Sequence, residues 1–224
     1  MKNTEEPKTL KELLIVGPGI RISNDIRYLF RGKDDCLIIG NGSDATTAAS
    51  IRATLKKENF KITKDTRVDI NAHSIRTNDK QHNLQVNSTN PEDILLTEKL
   101  FKGLREIAQC PLYVHLWSCY GGSANKAVNE LGADSILVTH IESKLSSWNT
   151  LDNYSMKASL ERYLSEDLTP YQQFILDSPE NFGATTFNKV GVDGTIKQFK
   201  STRMRTPKEK KWQIYLKIFL HKMI

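Results

Sequence analysis

Residues 112–139 read LYVHLWSCYGGSANKAVNELGADSILVT. Leu112–Trp117 is an apolar run of strand length, closed by Gly121-Gly122. Ala124, Ala127, Val128 and Leu131 then recur at helical spacing, and Gly132 ends that segment. Ser135–Thr139 is a second apolar run. Strand, helix and strand within fewer than thirty residues make a βαβ unit, whose crossover is right-handed and whose strands lie parallel.

The same alternation extends on both sides. Upstream, Cys36-Leu37-Ile38-Ile39 is a short strand broken by Gly40-Asn41-Gly42, with Ser43 as the expected cap of a helix that buries Ala48, Ile51 and Leu55. Val68-Asp69-Ile70-Asn71-Ala72 alternates as a strand. A polar loop is expected from Arg76 to Asn90. Asn90-Pro91-Glu92-Asp93 reads as a helix start, with Leu96, Leu100, Leu104 and Ile107 on its buried face. Leu13–Val16 is expected as an edge strand, and Val190–Ile196 as a hairpin turning at Asp193-Gly194. The fold class is therefore α/β: a three-layer αβα sandwich on a mainly parallel sheet, with a C-terminal β-hairpin and a basic helix. The expected division is an N-terminal extension with an edge strand (1–35), an αβα core (36–170), and the hairpin with the basic amphipathic helix (171–224).

Composition narrows the function classes. With 224 residues, 38% hydrophobic and 26% charged, the chain can bury a core unaided and is neither a disordered tract nor a membrane bundle. No apolar run approaches the ~20 residues that span a bilayer. The start, Met1–Glu6, lacks the apolar stretch of a signal peptide. Cys36, Cys110 and Cys119 form an odd set without a CxxC pair, which argues against a disulfide framework and a zinc ribbon and fits a reducing cytoplasm. No cluster has metal-ligand spacing, so no metal is expected.

The net charge of +6 is unevenly placed: from Lys197 onward there are nine Lys or Arg against the single acid Glu209. Trp212, Tyr215, Leu216, Phe219, Leu220 and Met223 fall on one face of a helix there. Such a helix either packs on a core or binds a polyanion or an acidic surface.

Ligand crevices in open α/β sheets lie beyond the carboxyl ends of the strands. The strand through Val68 ends at Asn71-Ala72-His73-Ser74, and the strand through Val114 ends at Ser118-Cys119-Tyr120-Gly121. If the two are neighbours, His73 and Cys119 emerge side by side. Imidazole lowers a nearby thiol's pKa and makes it a nucleophile, and amides of Ser74 and Cys119 are candidate oxyanion donors. His140, at the end of the following strand, rivals His73, while Cys36 and Cys110 read as structural.

A strand ending in His followed by a strand ending in Cys-x-Gly resembles the caspase-like cysteine peptidases, the superfamily of gingipain, clostripain, separase and toxin self-cleaving domains. The resemblance implies peptide-bond hydrolysis through a His73–Cys119 dyad and a thioester, with no required cofactor and a protein or peptide substrate. Arg76 and Asp152 are then candidate substrate-pocket walls. Inositol polyphosphate is an implied activator, held by Lys200, Arg203, Arg205, Lys208, Lys210 and Lys211. A cytoplasmic protein, or a bacterial effector reaching a host cytosol without a signal peptide, fits this reading. Ser74 departs from the glycine that usually follows the histidine in that superfamily.

Two other readings stand beside it. The fold can serve as a catalytically silent module that binds a protein or polyanion through its basic tail. Gly40-Asn41-Gly42-Ser43-Asp44-Ala45 can also be read as a GxGxxA dinucleotide loop. Nucleic-acid binding is not expected, since no recognised motif accompanies the charge.

Overall fold

The computed structural model describes residues 11–40, 46–76, 81–85, 94–140, 150–166, 168–177 and 184–202. Seven strands form one sheet: β1 (Lys11–Val16), β2 (Cys36–Ile39), β3 (Thr66–Asn71), β7 (Tyr113–Trp117), β8 (Ile136–Thr139), β9 (Ala184–Val190) and β10 (Ile196–Thr202). Their spatial order is β10-β9-β8-β7-β3-β1-β2. The five strands from β2 to β8 are parallel, and β9 and β10 continue the sheet antiparallel. The α/β class and the mainly parallel sheet are thus as the sequence predicts.

Helices cover both faces. On one side α2 (Ala48–Lys57), α3 (Thr97–Ala108) and a 3₁₀ helix (Gly121–Leu131) bury Ile51, Leu100, Phe101, Leu104, Val128 and Leu131 against Leu13, Ile15, Val68, Val114 and Leu137. On the other, α1 (Asn24–Phe30) and α4 (Thr150–Ser165) bury Ile26, Phe30, Met156 and Leu160 against Leu14, Val16 and Trp117. α5 (Pro170–Asp177) adds Phe174, which packs with Tyr113, Val138, Tyr163 and Phe187.

Several local expectations are corrected. β1 is not an edge: it pairs with β2 on one side and β3 on the other, because Leu13–Val16 is apolar on both faces and is buried on both. The polar stretch after Arg76 is not all loop. β4 (Ser74–Arg76), β5 (His82–Gln85) and β6 (Ile94–Leu96) form a small antiparallel sheet. Helix α3 starts at Thr97, after β6, so Leu96 stands at its N-cap position, without a side-chain cap bond, instead of lying on its face. Helix α2 is capped by Thr47, not Ser43: Thr47 accepts from the Ser50 amide while Ser50 accepts from the Thr47 amide. The segment after β7 is a 3₁₀ helix, whose buried residues include the three-spaced pairs Gly121/Ala124 and Val128/Leu131. Residues 203–224, with the expected basic helix, lie outside the described residues.

Strand β3 carries the least ordinary choice in the fold. All six residues of Thr66-Arg67-Val68-Asp69-Ile70-Asn71 are buried. Val68 and Ile70 join the larger core, while Arg67 and Asp69 face α4 and α5 with no exposure at all. Arg67 donates to both Asp69 oxygens, at 2.6 and 2.9 Å, and to the Ser159 hydroxyl and carbonyl on α4. Its guanidinium also lies over the Tyr163 ring, 5.3 Å from the centroid. Burial works against the Arg67 charge, but Asp69 and then Glu12 hold it protonated. Glu12, 3.8 Å away on β1, is pushed well above the carboxylate range by burial and then by Asp69, while Arg67 pulls it down. Trp117 also donates to Asp69, and Ser159 donates to Asp177 of α5.

Removing one partner of a buried ion pair strands the other, at a cost of roughly 3–5 kcal/mol, whereas replacing both by apolar groups of similar volume is often tolerated. Asp69→Ala should therefore lower the unfolding free energy read from urea titration by an amount in that range, and Arg67→Met with Asp69→Leu by markedly less. Equal losses would show that the pair contributes only volume.

Candidate functional site

The sheet register brings the sequence candidates together at one edge. Asn71 and Trp117 lie opposite each other in the β3–β7 pairing, and the Ala72 amide donates to the Trp117 carbonyl. His73 and Cys119, each two residues further on, therefore leave the sheet side by side. His73 is exposed, with Gly19 at its ring: a Cβ placed on Gly19 would lie 3.4 Å from Cδ2. Cys119 is half-buried.

What the surrounding side chains organise is the Cys119 carbonyl. The Ser74 hydroxyl donates to it across 45 residues of sequence. His82 Nε2 also binds it, at 3.1 Å. A carbonyl only accepts, so Nε2 carries the His82 proton and Nδ1 is the acceptor. The Thr97 hydroxyl, 2.7 Å from Nδ1, supplies the donor, and the buried Ser118 hydroxyl accepts from Nε2 at 3.1 Å. His82 is buried, and burial pushes its pKa down to about 4. It is a neutral strut that joins β5 and the first residue of α3 to the end of β7. The sequence places His82 in a polar loop and gives no sign of this role; its partners stand 15, 36 and 37 residues away.

The rival histidine has another task. His140 is buried, stacks on Trp117 with centroids 3.6 Å apart, and bonds His115 Nδ1 at 2.8 Å. His115 Nε2 in turn meets the Tyr113 hydroxyl at 2.6 Å. Burial, then the Arg67 charge, then His140 lower the His115 pKa well below its ordinary value. These rings fill the sheet face between Trp117 and Tyr113.

The remaining candidates are dispersed. Arg76 stands on β4, with its side chain outside the described residues. Asp152 lies in α4, not in a loop, and its side chain is likewise outside them. Lys200 is exposed on β10. Arg203, Arg205, Lys208, Lys210 and Lys211 fall outside the described residues, as does 41–45 of the glycine loop. For that loop, Gly40 has φ +81° and presses on the Val16 carbonyl, where any Cβ would clash. The following helix opens seven residues later under its own cap, and Asp69 is occupied by Arg67 and Trp117. No group of three His, Cys, Asp or Glu that could hold a metal occurs among the described residues, and no described helix is long and apolar enough to cross a membrane.

No family model matches the sequence. A protein of Rickettsia bellii named as an ankyrin repeat protein is 44% identical over 200 residues, which is 88% of this chain and 24% of that protein. The chain thus spans about a quarter of the length of the curated relative that it matches. That relative's name points away from a caspase-like peptidase and overturns the assignment to that superfamily. The cysteine endopeptidase, thiol-protease and effector readings fall with it.

The His82 strut has a measurable pH signature. Its folded pKa of about 4 lies below the ordinary 6.5, so the unfolded chain takes up the proton first as pH falls. The stabilisation is complete above pH 6.5 and is lost between 6.5 and 4, on the order of 3 kcal/mol in all. Urea unfolding at a series of pH values should show this decline. His82→Ala should lower stability at pH 7.5 by about 2 kcal/mol and flatten the decline, while Ser74→Ala should cost about 1 kcal/mol and leave its slope unchanged. An unaltered slope in His82→Ala would remove the strut from the account.

Proposed function

We propose that the chain is a protein-binding module within a larger protein, and that it docks an extended segment of its partner along β10. Ankyrin repeats are stacked helical units of ~33 residues that form protein-binding surfaces. The described residues of this chain form a sheet-based unit instead, so the resemblance to part of such a protein supports a companion module and not a repeat.

The observation that carries the proposal is the outer edge of β10. In the β9–β10 pairing Gly191 donates to the Thr195 carbonyl, which makes Gly191 and Thr195 a hydrogen-bonded pair. Such pairs alternate along an antiparallel ladder, so Lys197 and Phe199 direct their backbone groups toward β9, and Ile196, Gln198 and Lys200 direct theirs outward. On β9, Val190 accordingly bonds to the β8 side, with Ser135 and Asp134. β10 is the last strand of the sheet among the described residues, and Ile196 and Phe199 remain 41% and 46% exposed on it. Outward N–H and C=O groups beside exposed apolar side chains are the requirements for adding a strand.

Phe199 is the outermost member of an aromatic cluster that is anchored in the core. Its ring lies 5.3 Å from Tyr171 and 6.2 Å from Phe187, and Phe187 lies 5.4 Å from the fully buried Phe174. A partner side chain landing on Phe199 and Tyr171 therefore meets a supported surface, as interface hot spots require.

Gln198→Pro deletes an outward donor without touching the β9 ladder, a position at which an edge strand tolerates proline. Fluorescence anisotropy with capped, uncharged peptides of alternating Thr and Val should show saturable binding to the wild type and at least about tenfold weaker binding to Gln198→Pro, one lost edge bond and its neighbours being worth ~1.4 kcal/mol. Equal binding by the two proteins would sink the proposal.

A further inference from the structure

We infer that the strand received by β10 is acidic, with carboxylates set opposite Lys197 and Lys200 and an aromatic or β-branched residue opposite Phe199. This rests on the strand-docking reading and specifies the partner's chemistry at the same edge.

The register supplies the pattern. Lys197 stands directly opposite Lys189 across the hairpin, and Phe199 opposite Phe187. Directly opposed residues share a face of the sheet. One face of the hairpin thus carries two like charges side by side, with Lys189 and Lys197 both exposed. Directly opposed like charges disfavour a sheet, and a carboxylate in the next strand would neutralise this pair. Asp193, in the turn, is kept ionised chiefly by the Thr195 hydroxyl and amide on its Oδ1, at 2.7 and 3.0 Å, with Lys197 contributing least, so it is not the acid that neutralises the pair. On the opposite face Ile196 and Lys200 are both exposed, flanking Gln198, which bonds Asn188 at 2.7 Å.

An antiparallel partner continues the β8-β9-β10 meander. Read from the residue opposite Lys200 to the residue opposite Ile196, it needs acid, aromatic, small polar, acid, aliphatic. Glu-Phe-Thr-Glu-Val satisfies every position. Two copies of this chain would instead gather two sets of Lys197 and Lys200 on one seam, so the charge selects against self-association and for an acidic partner.

The test uses capped nine-residue peptides centred on Glu-Phe-Thr-Glu-Val, on the same sequence with Gln for Glu, and with Lys for Glu, titrated into the intact chain. The acidic peptide should bind about tenfold more tightly than the Gln peptide, as two exposed cross-strand ion pairs provide. That advantage should shrink at high salt and should reverse in Lys197→Glu with Lys200→Glu, which would prefer the Lys peptide. Gln198→Pro should weaken all three peptides alike. If the three peptides bind the wild type equally and Gln198→Pro still weakens them, the acidic specificity is wrong and strand docking stands. If Gln198→Pro leaves binding unchanged, or no peptide binds, strand docking itself fails. Inositol hexakisphosphate gives the last arm: if it displaces the acidic peptide stoichiometrically while Glu-rich peptides lacking the aromatic and aliphatic positions bind as well, the edge reads bulk negative charge and the patterned strand is excluded.

Discussion

Arg67 and Asp69 set the terms for the rest of the molecule. They occupy a strand in the middle of a seven-stranded sheet, where water cannot reach them, and two formal charges there are tolerable only when they face each other with their remaining donors and acceptors filled. That requirement fixes the second layer. α4 has to bring the Ser159 hydroxyl and carbonyl to the guanidinium, Tyr163 has to lie along it, and α5 has to present Asp177 to Ser159 and to Arg162. Glu12 shares the same pocket, 3.8 Å from Arg67, where burial pushes its pKa upward. The polar seam also divides the apolar contacts on that face into two clusters, one beneath α1 and the start of α4 and the other beneath Tyr163 and α5.

Among the described residues the opposite face carries no buried ion pair, and α2 and α3 approach closely there. Gly103 sits where a Cβ would be 2.4 Å from the Ala48 Cβ. At the strand ends above this face, His82 and Ser74 converge on one backbone carbonyl and tether the small β4-β5-β6 sheet to the end of β7. A histidine beside a cysteine at neighbouring strand ends is the arrangement of a thiol nucleophile. Here Ser74 and His82 bind the carbonyl of that cysteine, and His73 stands exposed with Gly19 at its ring. The geometry that makes the pair conspicuous comes from parallel register alone, and any fold with these two strands adjacent would produce it.

Much of this architecture was legible from residue patterns. The βαβ unit of residues 112–139, the β2 and β3 strands and the Asp193-Gly194 hairpin all follow from apolar runs and turn residues, which are local signals. The misreadings share a cause. Val68-Asp69-Ile70-Asn71 alternates as a half-exposed strand would, yet both faces are buried, because the polar face is matched by residues some 90 positions away in α4. β1 was placed at an edge because nothing near it in sequence says which strands flank it. His82 looked like a loop residue because its partners come from three other elements. Pairings across tens of residues leave no periodic trace, and the site is built from them.

The β10 edge is where local and long-range constraints meet. A mainly parallel sheet normally ends in covered strands, since each crossover adds a helix layer. Among the described residues this one ends in an antiparallel hairpin, where α5 reaches Phe199 through Tyr171 but leaves it and Ile196 exposed on the last strand. An exposed edge of seven residues is an aggregation hazard unless something guards it, and lysine is the commonest guard. Lys197 and Lys200 fulfil that duty on the two faces, but Lys197 does so directly opposite Lys189, a pairing that a purely protective design would avoid by placing a neutral residue on one strand. Doubling the charge on the face that also carries the anchored aromatic cluster strengthens the repulsion of another basic edge and the attraction of an acidic one together. The same two side chains thereby keep the edge open and determine what can close it.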